Sequence, residues 1–161
     1  MADDPPAGAD RTPAPTVTEA RHLRVREDYP GDFEDLVLEV QLEHELAGFE
    51  SVATTRLDRL IEGVLEESVP PTALVVLCHA RAALMGLRID PKLAGLFPCT
   101  TLVYEDPADD RYHVHHVSVM AAIRDLGFAP GQEDDVADLV AFTGERVQTV
   151  WAHLETAVGE D

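Results

Sequence analysis

Residues 96–105 read LFPCTTLVYE, and residues 72–78 read TALVVLC. The 72–78 stretch is a continuous apolar run, which is typical of a β-strand covered on both faces. The 96–105 stretch becomes rich in β-formers directly after its proline. Cys78 therefore closes one predicted strand and Cys99 opens the next. Neither stretch has the spacing of a known nucleophile motif, phosphate loop or metal cage, so the pair indicates a fold and not a reaction.

The sequence around these two strands predicts an α+β domain. Alternating or β-rich runs indicate strands, and apolar residues at a 3.6-residue period indicate helices. The predicted strands are 21–26, 49–57, 72–78, 100–105 and 112–119, and the predicted helices are 33–47, a segment from Asp58 to Leu65, 81–87 and 136–158. We expect one domain at 18–161, an approximately five-stranded sheet with about four helices on one side, the last long and amphipathic. Residues 1–17 are predicted to be a disordered, acidic, Pro- and Ala-rich lead.

Charge excludes one class of partner. The chain has 12 basic and 31 acidic side chains, a formal net charge of -19. Nucleic-acid backbones are bound through clustered cations, so we expect no nucleic-acid partner. Lys92 is the single lysine. This acidic, lysine-poor composition predicts a halophilic protein, because concentrated salt shortens the Debye length to about 3 Å and screens self-repulsion.

Hydropathy predicts no membrane association and a cytoplasmic location. The longest clean apolar run is 73–78, far below the roughly 18 residues that span a bilayer. The first residues lack a basic leader followed by an apolar core. Two cysteines in a reducing compartment are expected to be free thiols.

The order of these elements and motifs resembles the DUF302 family, over roughly residues 18–158. The likeness rests on the strand ending in Cys78, on Asp90-Pro91, on 96–99 and on Val103-Tyr104-Glu105. The chain looks like an acidic, haloarchaeal-type member. It departs from the family pattern at His79-Ala80, where Asn-Pro is usual, and at Thr100, where Asn is usual. The resemblance implies an α+β domain whose biochemical role is not established.

We expect a pocket for a small ligand or a metal near the two cysteines. Its candidate residues are Cys78, His79, Pro98, Cys99, Thr101 and Glu105. The alternative is a thiol-dependent enzyme or redox sensor, in which Cys78 is the nucleophile and His79 supplies the positive charge that favours its thiolate. The competing interpretation is that both cysteines are small core residues.

A disulfide and a metal site depend on how the strands pair. Parallel strands would hold Cys78 and Cys99 roughly 17 Å apart, whereas antiparallel strands could bring them together; we favour no disulfide. Cys99, His113 and His115 are candidate ligands for a transition metal, if the register of the last two strands joins them. Glu105 with His113 or His115 is a candidate acid–base pair.

Self-association as a homodimer is the third hypothesis, and it would involve no catalysis. The long last helix offers its Trp151 stripe as an interface, unless that stripe packs on the sheet of its own chain. The other histidines, His22, His44 and His153, are expected at surfaces and are given no role.

Overall fold

Five β-strands and five α-helices make up residues 21–160, the part of the chain that this computed structural model describes. The strands are β1 (Arg21–Arg24), β2 (Glu50–Arg56), β3 (Thr72–Cys78), β4 (Cys99–Asp106) and β5 (Arg111–His116). The helices are α1 (Phe33–Leu46), α2 (Leu57–Leu65), α3 (Ala80–Ile89), α4 (Val119–Asp125) and α5 (Glu133–Val158), with a 3-10 helix at Pro91–Leu96. The predicted α+β class, the five strands and the long last helix are confirmed. The predicted disordered lead at 1–17 lies outside the described residues.

The strands form one antiparallel sheet in the order β1-β5-β4-β3-β2. Successive side chains alternate between its faces. Ala73, Val75 and Leu77 of β3 are fully buried on one face, where α1 and α5 complete the main core. Leu74 and Val76 point to the opposite face and are half-buried. We refer to these as the helix face and the open face.

Local sequence explains where α1 begins and which side it buries. Asp32 accepts a hydrogen bond from the backbone N–H of Asp35, and the Asp35 carboxylate accepts one from the Asp32 N–H, each at 3.0 Å. This reciprocal cap satisfies two N–H groups that a helix start leaves free. The buried stripe of α1 then follows the helical period through Leu36, Val40 and His44.

The long helix α5 buries eight residues along one side, including Trp151 and Leu154. Its first turn contains Glu133, Asp134 and Asp135, which the helix dipole favours. The Trp151 stripe packs on the sheet of its own chain, as one of the two sequence-based alternatives expected. No helix in residues 21–160 is both long enough and apolar enough to cross a bilayer.

Two details of the secondary structure differ from the sequence-based expectation. The strand predicted at 112–119 ends at His116, and the helix α4, which was not predicted, follows it. The Ser118 hydroxyl caps α4 by accepting a hydrogen bond from the Ala121 N–H at 3.1 Å. A short apolar run does not distinguish a strand from a buried helix. The described chain therefore has five α-helices and a 3-10 helix, where about four helices were expected.

The apolar side of α2 is exposed. Leu60, Val64 and Leu65 share a helical face, yet they are 55%, 70% and 64% exposed. The helix follows the edge strand β2 and belongs to neither of the two core clusters. Its apolar face therefore does not contribute to the core.

Leu36 and Leu38 provide a matched test of how α1 is oriented. Leu36 is 0% exposed and Leu38 is 62% exposed. We expect Leu36→Ala to lower the free energy of unfolding by about 2–5 kcal/mol, through lost burial and a cavity. Leu38→Ala should lower it by no more than about 0.5 kcal/mol. Urea unfolding monitored by circular dichroism would measure both, and similar losses in the two variants would contradict this orientation.

Candidate functional site

Antiparallel pairing brings the two cysteines to the same end of the sheet. Leu77 of β3 lies opposite Cys99 of β4, so Cys78 is one position out of register with Cys99. Both cysteines are free and half-buried. The predicted absence of a disulfide therefore agrees with the structure. The parallel arrangement that would have held them roughly 17 Å apart does not occur, because β3 and β4 are antiparallel and the two residues are close along the sheet.

A cavity of about 450 Å³ opens on the helix face beside Cys99. Cys99 and His116 line it from the strands, Met120 lines it from α4, and Thr143 and Gly144 line it from α5. A small adjoining cavity of about 20 Å³ shares Phe49, Cys99, Met120 and Thr143 with it and extends to Cys78, His79 and Pro98. Four of the six predicted pocket residues therefore lie together around this end of the sheet.

The other two predicted pocket residues have different positions. Thr101 is fully buried behind the cavity, hydrogen-bonded to His116 at 2.9 Å. Glu105 lies near the far end of β4, opposite Tyr112, and lines neither cavity. Thr101 therefore contacts the cavity wall only through His116, and Glu105 lies outside the site.

Three buried polar side chains form a hydrogen-bonded row that ends at the cavity. The His44 ring nitrogen Nδ1 lies 2.7 Å from the Val40 carbonyl oxygen, and His44 Nε2 lies 3.2 Å from the Thr101 hydroxyl. Thr101 in turn lies 2.9 Å from His116 Nδ1. His44, Thr101 and His116 are at most 3% exposed. We call these three residues the polar row.

The Val40 carbonyl sets the direction of every bond in the polar row. A carbonyl only accepts, so His44 Nδ1–H donates to it, and His44 Nε2 is left as an acceptor. The Thr101 hydroxyl donates to His44 Nε2 and accepts from His116 Nδ1–H. His116 Nε2 is therefore unprotonated, and it has no hydrogen-bond partner within residues 21–160.

Burial keeps both imidazoles neutral. It lowers the pKa of His44 to about 4, against smaller raising effects of the Val40 hydrogen bond and of Glu43. Burial, with smaller effects of His44 and His115, lowers the pKa of His116 to about 3. The cavity therefore presents a neutral acceptor nitrogen at every physiological pH.

Neither the Cys99 thiol nor His79, the expected activator of Cys78, is suited to nucleophilic chemistry. Burial, with a smaller effect of Cys78, raises the pKa of the Cys99 thiol to about 11. His79 Nδ1 accepts a hydrogen bond from the Arg81 N–H at 3.2 Å and so caps α3. The His79 ring also packs against Phe49 and Phe142, with centroids 5.4 and 5.0 Å away. Burial, then Arg146, lowers the pKa of His79, so the cationic form that would activate Cys78 is disfavoured.

The predicted metal set is divided by the sheet. Thr101 pairs with His116, so Cys99 lies on the helix face, whereas His113 and His115 lie on the open face. Glu105 pairs with Tyr112 and is likewise separated from both histidines. The structure therefore assembles neither the Cys99–His113–His115 set nor the Glu105–histidine pair. Register between hairpin strands decides this, and the sequence left it open.

All three histidines that were expected at surfaces have close partners; His22 and His153 are exposed as expected, the latter with Nδ1 2.9 Å from Glu43 Oε2, and His44 is not. His44 is fully buried in the polar row, and the helical period that placed it on the apolar side of α1 was the signal for this. His22 Nε2 lies 3.1 Å from His113 Nδ1 on the open face. No sequence pattern indicated His116 as a cavity residue, because its position depends on the pairing of β4 with β5.

The fold and this site define an α+β domain with a ligand-sized cavity between its sheet and its last helix. A family model described as domain of unknown function DUF302 matches residues 25–154, and the chain belongs to this family. A crystal structure described as an uncharacterized conserved DUF302 protein from Bacillus stearothermophilus has the same fold, with a TM-score of 0.64. The two sequences are 11% identical, and the match covers 81% of this chain and 97% of the other. No curated protein matches this chain in sequence.

The neutral imidazoles predict a pH dependence of stability. Below the ordinary histidine pKa of 6.5, the unfolded chain binds protons at His44 and His116. In the folded chain His44 binds its proton only near pH 4, and His116 only near pH 3. The unfolded state binds more protons in this window, so stability falls as the pH falls. We expect each residue to contribute about 1.4 kcal/mol per pH unit between roughly pH 6 and 5.

His116→Gln should remove about half of the histidine contribution to that slope, which urea titrations at several pH values would measure. His153→Gln, which replaces a 55% exposed imidazole on α5, is the control and leaves the buried imidazoles in place. An unchanged slope in His116→Gln would contradict a neutral, buried His116.

Alkylation tests the two thiols separately, since the chain has two cysteines. In Cys78→Ser the remaining thiol is Cys99. With its pKa of about 11, roughly one molecule in three thousand has this thiol ionised at about pH 7.5. We expect iodoacetamide to label it only after unfolding, as read by mass spectrometry. In Cys99→Ser, fast labelling of folded Cys78 would favour the thiol alternative, and resistance would rule it out.

Proposed function

We propose that this domain binds a small, largely apolar molecule that donates a hydrogen bond to His116. The observation that carries the proposal is the unpartnered Nε2 of His116, an acceptor on a buried side chain at the wall of the 450 Å³ cavity. This nitrogen is reachable from the cavity, unlike Trp151 Nε1, which is enclosed and has no hydrogen-bond partner. A ligand N–H or O–H would give His116 Nε2 a partner, whereas a ligand with only acceptors would repel the nitrogen lone pair.

The walls supply the apolar part of the recognition. Val140 and Val147 of α5, Met120 of α4 and Phe49 line the cavity beside His116. A volume of 450 Å³ lies in the range typical of small-molecule sites. The ligand is therefore expected to have an apolar body and few polar groups.

Arg21 gives the cavity a cationic edge. It lines the cavity from β1, and no carboxylate in residues 21–160 forms an ion pair with it. In a chain with a net charge of -19, such a guanidinium at the cavity favours an anionic group there. We infer an apolar organic acid that also presents a hydroxyl or amide N–H.

The alternatives have less support. The capping role of His79 and its lowered pKa count against the activation of Cys78 in a thiol-dependent enzyme or redox sensor. The apolar side of α5 is used within its own chain, which removes the surface first considered for a homodimer. The cytoplasmic location, the salt adaptation and the absence of a nucleic-acid partner stay predictions.

Gly144 allows the cavity to be blocked without disturbing the core. A Cβ at Gly144 would meet no atom within 4 Å, and the same holds for Gly63, a helical glycine of α2 that lines neither cavity described above. Gly144→Leu and Gly63→Leu both raise helix propensity, so both variants should fold. Gly144→Leu places a side chain at the cavity, and Gly63→Leu adds the same side chain elsewhere.

The probe is anilinonaphthalene sulfonate, which combines an apolar ring system, an N–H donor and an anionic group. We expect Gly144→Leu to weaken its binding by about tenfold or more, and Gly63→Leu to leave the dissociation constant unchanged. Fluorescence titration would measure both. Equal binding to the two variants would place the dye on exposed apolar surface and contradict the proposal.

A further inference from the structure

The β4–β5 hairpin has a second group of chemically competent side chains, remote from the cavity. Asp106 ends β4, Asp109 lies in the turn, and His113 lies on β5. One ligand-type atom from each lies within 4.8 Å of the other two. We propose that these three residues bind a divalent transition-metal ion, with Zn²⁺ as the representative.

The separations fit a shared ion. His113 Nε2 lies 3.2 Å from both carboxylate oxygens of Asp109. Two ligands bonded to one zinc ion at a tetrahedral angle are about 3.3 Å apart. The ion would take the place of the proton that His113 Nε2 and Asp109 share in its absence.

The carboxylates are held in place by the turn itself. Asp106 accepts a hydrogen bond from the Ala108 N–H at 2.9 Å, and Asp109 accepts one from the Arg111 N–H at 3.2 Å. These bonds fix both side chains before any ion arrives, so little side-chain entropy is lost on binding. A preorganised pair of carboxylates beside one imidazole is the result.

His113 has the supporting contacts that a metal ligand requires. Its other ring nitrogen, Nδ1, lies 3.1 Å from His22 Nε2, so Nδ1–H can donate to His22 while Nε2 binds the ion. Metal-bound histidines nearly always donate their second N–H to an acceptor such as a carboxylate or carbonyl, which fixes the tautomer, and here the acceptor is the imidazole of His22. The Tyr104 ring stacks on the His113 ring at 5.2 Å and holds its plane.

Charge favours a cation at this position. Arg24 Nε lies 2.8 Å from Asp109 Oδ2, and this ion pair opposes one negative charge of the two carboxylates. One negative charge remains uncompensated, and Arg24 orients Asp109 as the neighbours of a ligating carboxylate commonly do. One imidazole and two carboxylates suit borderline ions such as Zn²⁺, Mn²⁺ and Fe²⁺, and three protein ligands leave a position for water.

Asp106→Asn and Asp110→Asn form a matched pair. Each removes one negative charge from the same turn, so diffuse electrostatic attraction for cations falls equally. The amide oxygen that Asp106→Asn introduces can still accept from the Ala108 N–H. Asparagine also tolerates the left-handed backbone at position 110, where φ is 56°. Both variants should therefore fold.

Calorimetric titration with ZnCl₂ alone tests the site on the full chain. We expect one saturable site, weakened at least about tenfold by Asp106→Asn and less than about twofold by Asp110→Asn. Nitrogen-15 NMR of the imidazoles should show Zn²⁺ on His113 Nε2 and a retained proton on Nδ1. The proposal is overturned by equal weakening in the two variants, by the absence of saturable binding, or by unperturbed His113 resonances.

Discussion

The antiparallel register between β3, β4 and β5 is the constraint on which the rest of the molecule depends. It sets Leu77 opposite Cys99 and Thr101 opposite His116. Because side chains alternate along a strand, a slip of one residue would move each of these groups to the other face of the sheet. The full burial of Leu77 and Val103 on the helix face makes such a slip costly. The hydrophobic core and both candidate sites therefore depend on one choice of register.

The polar row is a buried arrangement that stability alone does not favour. Replacing two neutral imidazoles and a hydroxyl by apolar groups of similar shape would avoid their desolvation. Within the row every side-chain polar atom has a hydrogen-bond partner except His116 Nε2. The unsatisfied atom lies where the row meets the cavity. This network, complete except at the cavity wall, is the feature on which the proposed ligand recognition rests.

Strand β5 serves two different chemical environments at once. Val114 and His116 face α5, where burial makes the imidazole neutral and an acceptor. His113 faces the other way, between Asp109 and His22, where carboxylates replace the apolar walls. The run of three histidines at 113, 115 and 116 is therefore not one site. Alternation along the strand divides it, and each imidazole takes its role from the face that it occupies.

Local signals in the sequence determined most elements of this protein, although not α4: the capping pattern at Asp32, the apolar run of β3 and the helical period of α5 all correspond to observed structure. They also suggested one pocket for Cys78, His79, Pro98 and Cys99, but only the antiparallel pairing of β3 with β4 brings these residues to one end of the sheet. Only the tertiary structure decided that His44 and His116 flank Thr101, and that His113 is separated from Cys99. Strand order and register arise from burial summed over the whole sheet, which no short stretch of sequence encodes.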